Sequence, residues 1–129
     1  MPTERIYRGA KFEIRSWIEN DSCQVLDFLK ELEENNDSDS ERLSYLIERT
    51  ANHGVTHNKQ QMRPLDDDIY EFKAQNTARI LFFYDKNKLI ICSHGFTGKK
   101  GKGNKSIKGQ IEKAARIKED YFREKGETK

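Results

Sequence analysis

Apolar residues along this chain fall into clusters, and the spacing within each cluster names the element it builds. In KFEIRSWI (11–18), Phe12, Ile14 and Ile18 alternate with Glu13 and Arg15, the period of a half-buried strand. In QVLDFLKELEE the period lengthens. Val25, Phe28, Leu29 and Leu32 form one stripe of a helix, which Asp21 or Ser22 is placed to cap. The polar break NNDSDS (35–40) runs into Ser38 and Glu41, spaced as a capping box ahead of RLSYLIERTANHG. Leu43, Leu46, Ile47 and Ala51 make the stripe of this second helix, and Gly54 is its expected left-handed terminator.

Residues 55–68 are polar and irregular, and then the pattern turns to strands: IYEFKA (69–74), ARILFFYD (78–85) and KLIICSHGF (88–96). The links Gln75-Asn76-Thr77 and Lys86-Asn87 are short enough to make both neighbouring pairs antiparallel hairpins. ILFFY is too continuously apolar for a strand with one wet face, which places it in the middle of the sheet. From about Lys105 to Phe122, Ile107, Ile111, Ala114, Ala115 and Phe122 recur at helical spacing, and 124–129 should fray. The expected fold is α+β: a small antiparallel sheet, made of the N-terminal strand and a three-stranded meander, with two N-terminal helices and one C-terminal helix. The helices are expected on one face of the sheet. The length, 129 residues, suits a single domain over 1–129.

Composition adds one asymmetry. Up to Asp68 there are 9 Lys/Arg against 15 Asp/Glu, a net of −6; from Ile69 onward there are 15 against 7, a net of +8. The overall charge of +2 therefore hides a basic C-terminal half, which suits a phosphate-bearing partner. Cys23 and Cys92 are far apart and lack metal-ligand spacing, so they read as reduced, partly buried thiols of a cytoplasmic protein. No apolar run approaches the length of a membrane span, and no membrane partner is expected. No cofactor or metal is expected either. His53 and His57 bracket Gly54 and would share a helix face only if the helix continued through it.

The stretch HGFTGKKGKGNKSIKGQI (94–111) raises the question of a phosphate-binding loop. Gly98 and Gly103 have the spacing of a Walker A motif, but Asn104 stands where its lysine belongs, and Lys105-Ser106 come one residue late. No further strand follows to build a parallel nucleotide-binding sheet. What remains is Lys99, Lys100, Lys102 and Lys105 on a glycine-rich backbone, expected to be mobile over 98–105. Charge spacing allows two readings: a solvated connector, or an electrostatic clamp on a nucleic-acid backbone.

The segments RPLDDDIYEFK, ARILFFYDKNKLIICSHGFTGKK and IEKAARIKEDYF, taken in order over Arg63–Phe122, resemble the RelE/ParE superfamily of type II toxin–antitoxin toxins. They are most similar to its phage-derived HigB-like branch. The resemblance implies a small α+β domain and, for RelE and HigB members, ribosome-dependent cleavage of mRNA without a metal. It also implies inhibition by an antitoxin that often carries a helix-turn-helix. A ParE-like toxin that binds a topoisomerase without cutting RNA is the alternative, and an inactive phage-derived relative is the third.

By position in that pattern, Lys73 and Arg79 match basic sheet residues of the family, and Lys99 and Lys100 match its basic pair at the last strand's end. A hairpin through Gln75-Asn76-Thr77 would set Lys73 opposite Arg79 on one face, a two-cation phosphate site. His94 lies beside the basic end and has the chemistry for proton transfer, although a histidine there serves structure more often. Glu71 occupies a strand position that is basic in the RelE branch, whereas glutamate is usual in the HigB-like branch. The tyrosine that RelE toxins carry after the basic loop has no clear equivalent, since Ser106 and Ile107 stand there.

Overall fold

The computed structural model describes residues 3–35, 37–54, 62–65, 68–74, 77–86, 88–97 and 103–125; for Arg63 and 103–106 only the backbone is described. In chain order the elements are β1 (Thr3–Arg8), β2 (Glu13–Glu19), β3 (Ser22–Cys23), α1 (Gln24–Glu34) and α2 (Asp39–His53). They continue as β4 (Met62–Pro64), β5 (Tyr70–Lys73), β6 (Ala78–Asp85), β7 (Leu89–Thr97) and α3 (Gly103–Glu124).

The fold is α+β, as the pattern predicts. The strands form one seven-stranded sheet in the order β1-β2-β7-β6-β5-β4, with β3 paired to β2. β5, β6 and β7 are the antiparallel meander, whereas β2 joins β7 in parallel, so the sheet is mixed rather than purely antiparallel. Parallel neighbours need a long crossover. Here the crossover runs through α1, α2 and the meander itself.

The helices cover both faces, which corrects the one-face expectation. Residues of α1 and α2 pack with Ile14, Phe72, Ile80, Phe82, Ile90 and Cys92 in one core. Ala114, Ile117 and Tyr121 of α3 pack with Trp17, Leu81, Phe83 and Ile91 in the other. Alternate side chains of a strand point to opposite faces, so a strand flanked by helices on both sides must be apolar at every position. That is why Ile80, Leu81, Phe82 and Phe83 are consecutive and all fully buried, in a strand that lies between β5 and β7.

Local chemistry departs from the sequence expectations at several turns. Asn20 and Asp21 both adopt positive φ, 56° and 62°, between the paired Glu19 and Ser22, so they form the tight β2–β3 turn instead of a cap. The α1 cap comes from across the structure: the Val25 N–H donates to Ser16 Oγ at 3.0 Å. At α2 no capping box forms, and Asp37 Oδ1 accepts the Asp39 N–H at 2.9 Å. Gly54 does take a positive φ of 91°, but its ψ of −177° is extended, not left-handed helical.

Met62–Pro64 forms an edge strand where an irregular segment is expected, with Pro64 at its last position. α3 begins at Gly103, so residues 103–105 of the expected loop are helical in backbone; Gly98, Lys99, Lys100, Gly101 and Lys102 lie outside the described residues. Glu124 closes α3, and the Lys125 ammonium bonds Asp85 Oδ2 at 2.6 Å, while 126–129 lie outside the described residues. Among the described residues no helix is long and apolar enough to cross a membrane.

Candidate anion-binding site on the sheet

The β5–β6 hairpin sets Lys73 opposite Arg79, as the loop length predicts. Directly opposed residues of an antiparallel pair point to the same face. The register extends to β7, where Arg79 faces Phe96. Lys73, Arg79 and Phe96 therefore form one row across the sheet, and Glu71, Leu81 and His94 form the next. Both rows lie on the α3 side, because Leu81 and Phe96 belong to that core.

Asp39 anchors the hairpin from the far side of the sheet. Its Oδ2 accepts the N–H groups of Thr77 and Ala78, each at 3.0 Å, and the residue itself is almost fully buried. The turn that aligns Lys73 with Arg79 is thus fixed by the first residue of α2.

Glu71 is fully buried, and Arg79 Nη1 donates to its Oε1 at 3.2 Å and, more weakly, to Oε2 at 3.5 Å. The Arg79 side chain is 20% exposed, so this is a partly buried ion pair. Arg79 Nε is buried with no partner. An unmet buried donor costs about 1–3 kcal/mol. Lys73 is half-buried, and none of the described ion pairs or hydrogen bonds uses its ammonium.

His94 shares this face but is almost fully buried. Its Nε2 lies 2.7 Å from Gln110 Oε1 of α3, and its Nδ1 lies 3.0 Å from Ser93 Oγ. In a neutral ring the Ser93 hydroxyl either donates to Nδ1, which leaves Nε2–H to donate to Gln110, or donates to the Leu81 carbonyl 3.2 Å away and accepts from Nδ1–H. Burial is the main cause that pushes the His94 pKa down to about 4. The backbone reason for this placement is a bulge: Leu81 pairs with His94 and Phe82 with Cys92, so Ser93 is the extra residue. Proton exchange at His94 would need Gln110 to give way.

Of the candidate residues, Lys73 and Arg79 come together, and His94 lies in the neighbouring row beneath α3. Lys99, Lys100 and Lys102 lie outside the described residues, and Lys105 is placed only as backbone in the first turn of α3. Sequence reasoning gave no role to Glu71, Gln110 or Asp39. For Gln110 a signal existed: it falls on the stripe Ile107, Ala114, Ile117 and Tyr121, where a polar residue implies a buried partner. Cys92 is fully buried, which raises its thiol pKa, and both cysteines are free. A large open groove of about 960 Å³ lies between α1 and α2, lined partly by Leu29, Glu33, Tyr45 and Glu48. It belongs to the other helical layer and is no part of the cation site.

The fold is a small mixed sheet with two helices on one face and one on the other, and the Lys73–Arg79 pair lies on its meander. Among solved structures the chain is similar to the YoeB dimer from Staphylococcus aureus, at 15% identity and a TM-score of 0.50. The similarity covers 66% of this chain and 94% of that one, and at this identity it is a likeness of fold. Residues 27–119 match the family "Phage derived protein Gp49-like (DUF891)", and the chain belongs to that family. No curated protein is significantly similar in sequence.

Proposed function

We propose that this protein is the toxin of a type II toxin–antitoxin module, of the HigB-like branch, acting in the cytoplasm as a ribosome-dependent mRNA endoribonuclease. The observation that carries the reading is the pairing of Lys73 with Arg79 on one face of the sheet. In the proposed reaction a ribose 2′-hydroxyl attacks the adjacent phosphorus and the P–O5′ bond breaks. A 2′,3′-cyclic phosphate and a 5′-hydroxyl result, with the 2′ proton lost and the 5′ oxygen protonated. Arg79 and Lys73 stabilise the extra negative charge of the phosphorane. Lys99, Lys100, Lys102 and Lys105 hold the flanking RNA backbone. A helix-turn-helix antitoxin neutralises the toxin by covering this cationic surface.

The burial of His94 favours a second reading. Cations without an exposed proton shuttle suit a ParE-like toxin that binds a topoisomerase and leaves RNA intact. Mapping mRNA 5′ ends on ribosomes after brief induction separates the two. New ends within translated frames that vanish in Arg79→Ala support cleavage; growth arrest with intact mRNA supports the second reading.

A further inference from the structure

We infer that Glu71 is a positioning residue, whose buried carboxylate fixes the Arg79 guanidinium for an RNA phosphate. The inference rests on the reading of Arg79 as the phosphate-binding cation. An anion site gains nothing in affinity from a carboxylate in its second row, because Glu71 offsets part of the attraction that Arg79 and Lys73 exert. Yet Glu71 is fully buried on β5, held by backbone pairing with Leu81.

Such a side chain can move little, and through its contact with Nη1 it removes freedom from a long, rotamer-rich arginine. Nη2 makes no hydrogen bond to any described residue, and Nε is buried without a partner. One end of the guanidinium is therefore fixed on the protein, and Nη2 is the donor left for a ligand oxygen. Orientation is settled during folding and not at binding, which lowers the barrier for a phosphorane more than it tightens ground-state RNA.

The signature is a split between binding and turnover. Glu71→Gln keeps the shape, removes the negative charge and weakens the grip on Nη1. Affinity for a short single-stranded RNA should hold or rise, while kcat for ribosome-bound mRNA falls about ten- to a hundredfold. In NMR spectra the Arg79 Nη protons should be resolved in the wild type and averaged by bond rotation in the variant. Unchanged Nη signals, or affinity and kcat falling together in a folded variant, overturn the inference. So does a pH–rate profile that loses its acid limb in Glu71→Gln, since Glu71 would then be exchanging a proton. If the variant fails to fold, Glu71→Asp retains the charge one methylene short and should show the same split in milder form; no split overturns the proposal. A wild-type protein that cleaves no mRNA refutes the nuclease reading, while the Nη signals and RNA affinities still decide whether Glu71 positions Arg79.

Discussion

Asp39 and Ala78 lie 39 residues apart in sequence, yet the Asp39 carboxylate accepts the Ala78 N–H at 3.0 Å inside the protein. The same oxygen takes the Thr77 N–H, so the carboxylate bonds both donors at the exit of the β5–β6 turn. Asp39→Ala would strand two backbone donors, one of them buried. A loss of about 2–4 kcal/mol in unfolding free energy is expected, read from urea melts. Amide exchange at Thr77 and Ala78 should accelerate more than at Phe82, in mid-strand. Uniform acceleration across the sheet would show that Asp39 supports the fold as a whole and not this turn.

The His94–Gln110 contact has a pH consequence. Burial depresses the His94 pKa from 6.5 to about 4; the Lys113 and Arg116 charges add to this, and the Gln110 hydrogen bond and the Glu19 charge oppose it. The unfolded chain therefore takes up a proton, as pH falls below 6.5, that the folded protein refuses until about pH 4. Stability is full above that window and falls through it, by about 3 kcal/mol at roughly 1.4 kcal/mol per unit. Glu13 and Glu19 have pKa values lowered from 4.5, so their contributions are lost only on the acid side of 4.5. Between pH 6.5 and 4.5 the slope belongs chiefly to His94. Thermal melts should show it in the wild type and a flatter profile in His94→Gln; equal slopes would mean the ring is hydrated and titrates freely.

Gly95 is small because Phe28 needs its space. A Cβ at Gly95 would overlap the Phe28 ring, where α1 presses on β7. Gly95→Ala should cost about 1–3 kcal/mol through displacement of the ring. Combined with Phe28→Leu, the loss should be less than additive in a double-mutant cycle. Strict additivity would mean that the cost arises in the strand backbone.

The elements legible in the sequence are those whose period is set by their own burial. ARILFFYD gave β6 with its bounds, and its apolar run Ile80, Leu81, Phe82 and Phe83 gave the central position, because burial on both faces leaves no polar position there. α1 was legible from a single stripe. Placement of the helices was not legible: a stripe shows that a helix has a buried side, not which face of the sheet it covers. β1, TERIYR, is polar at an edge and lacks an apolar alternation to mark it. The site was half legible. Loop length alone pairs Lys73 with Arg79, but the grip of Glu71 on Arg79 and the burial of His94 under Gln110 depend on tertiary placement.

The four lysines Lys99, Lys100, Lys102 and Lys105 leave a choice between clamp and connector that salt decides. The first turn of α3 has no acidic residue, and Lys105 stands within it, at the positive end of the helix dipole. A cation there is unfavourable by about 0.3–1 kcal/mol, which a bound phosphate would offset. Each lysine that contacts RNA releases cations condensed on the strand, and adds about 0.7 to the steepness with which log affinity falls against log salt. Changing all four to Ser should make that slope shallower, by about 2–3 if most of them touch phosphate. Arg79→Ala alone should lower the slope by about one contact's worth, roughly 0.7. A titration of short single-stranded RNA between low and physiological salt measures both. A slope that stays the same after all four substitutions assigns the segment to a solvated connector and leaves Lys73 and Arg79 as the anion site.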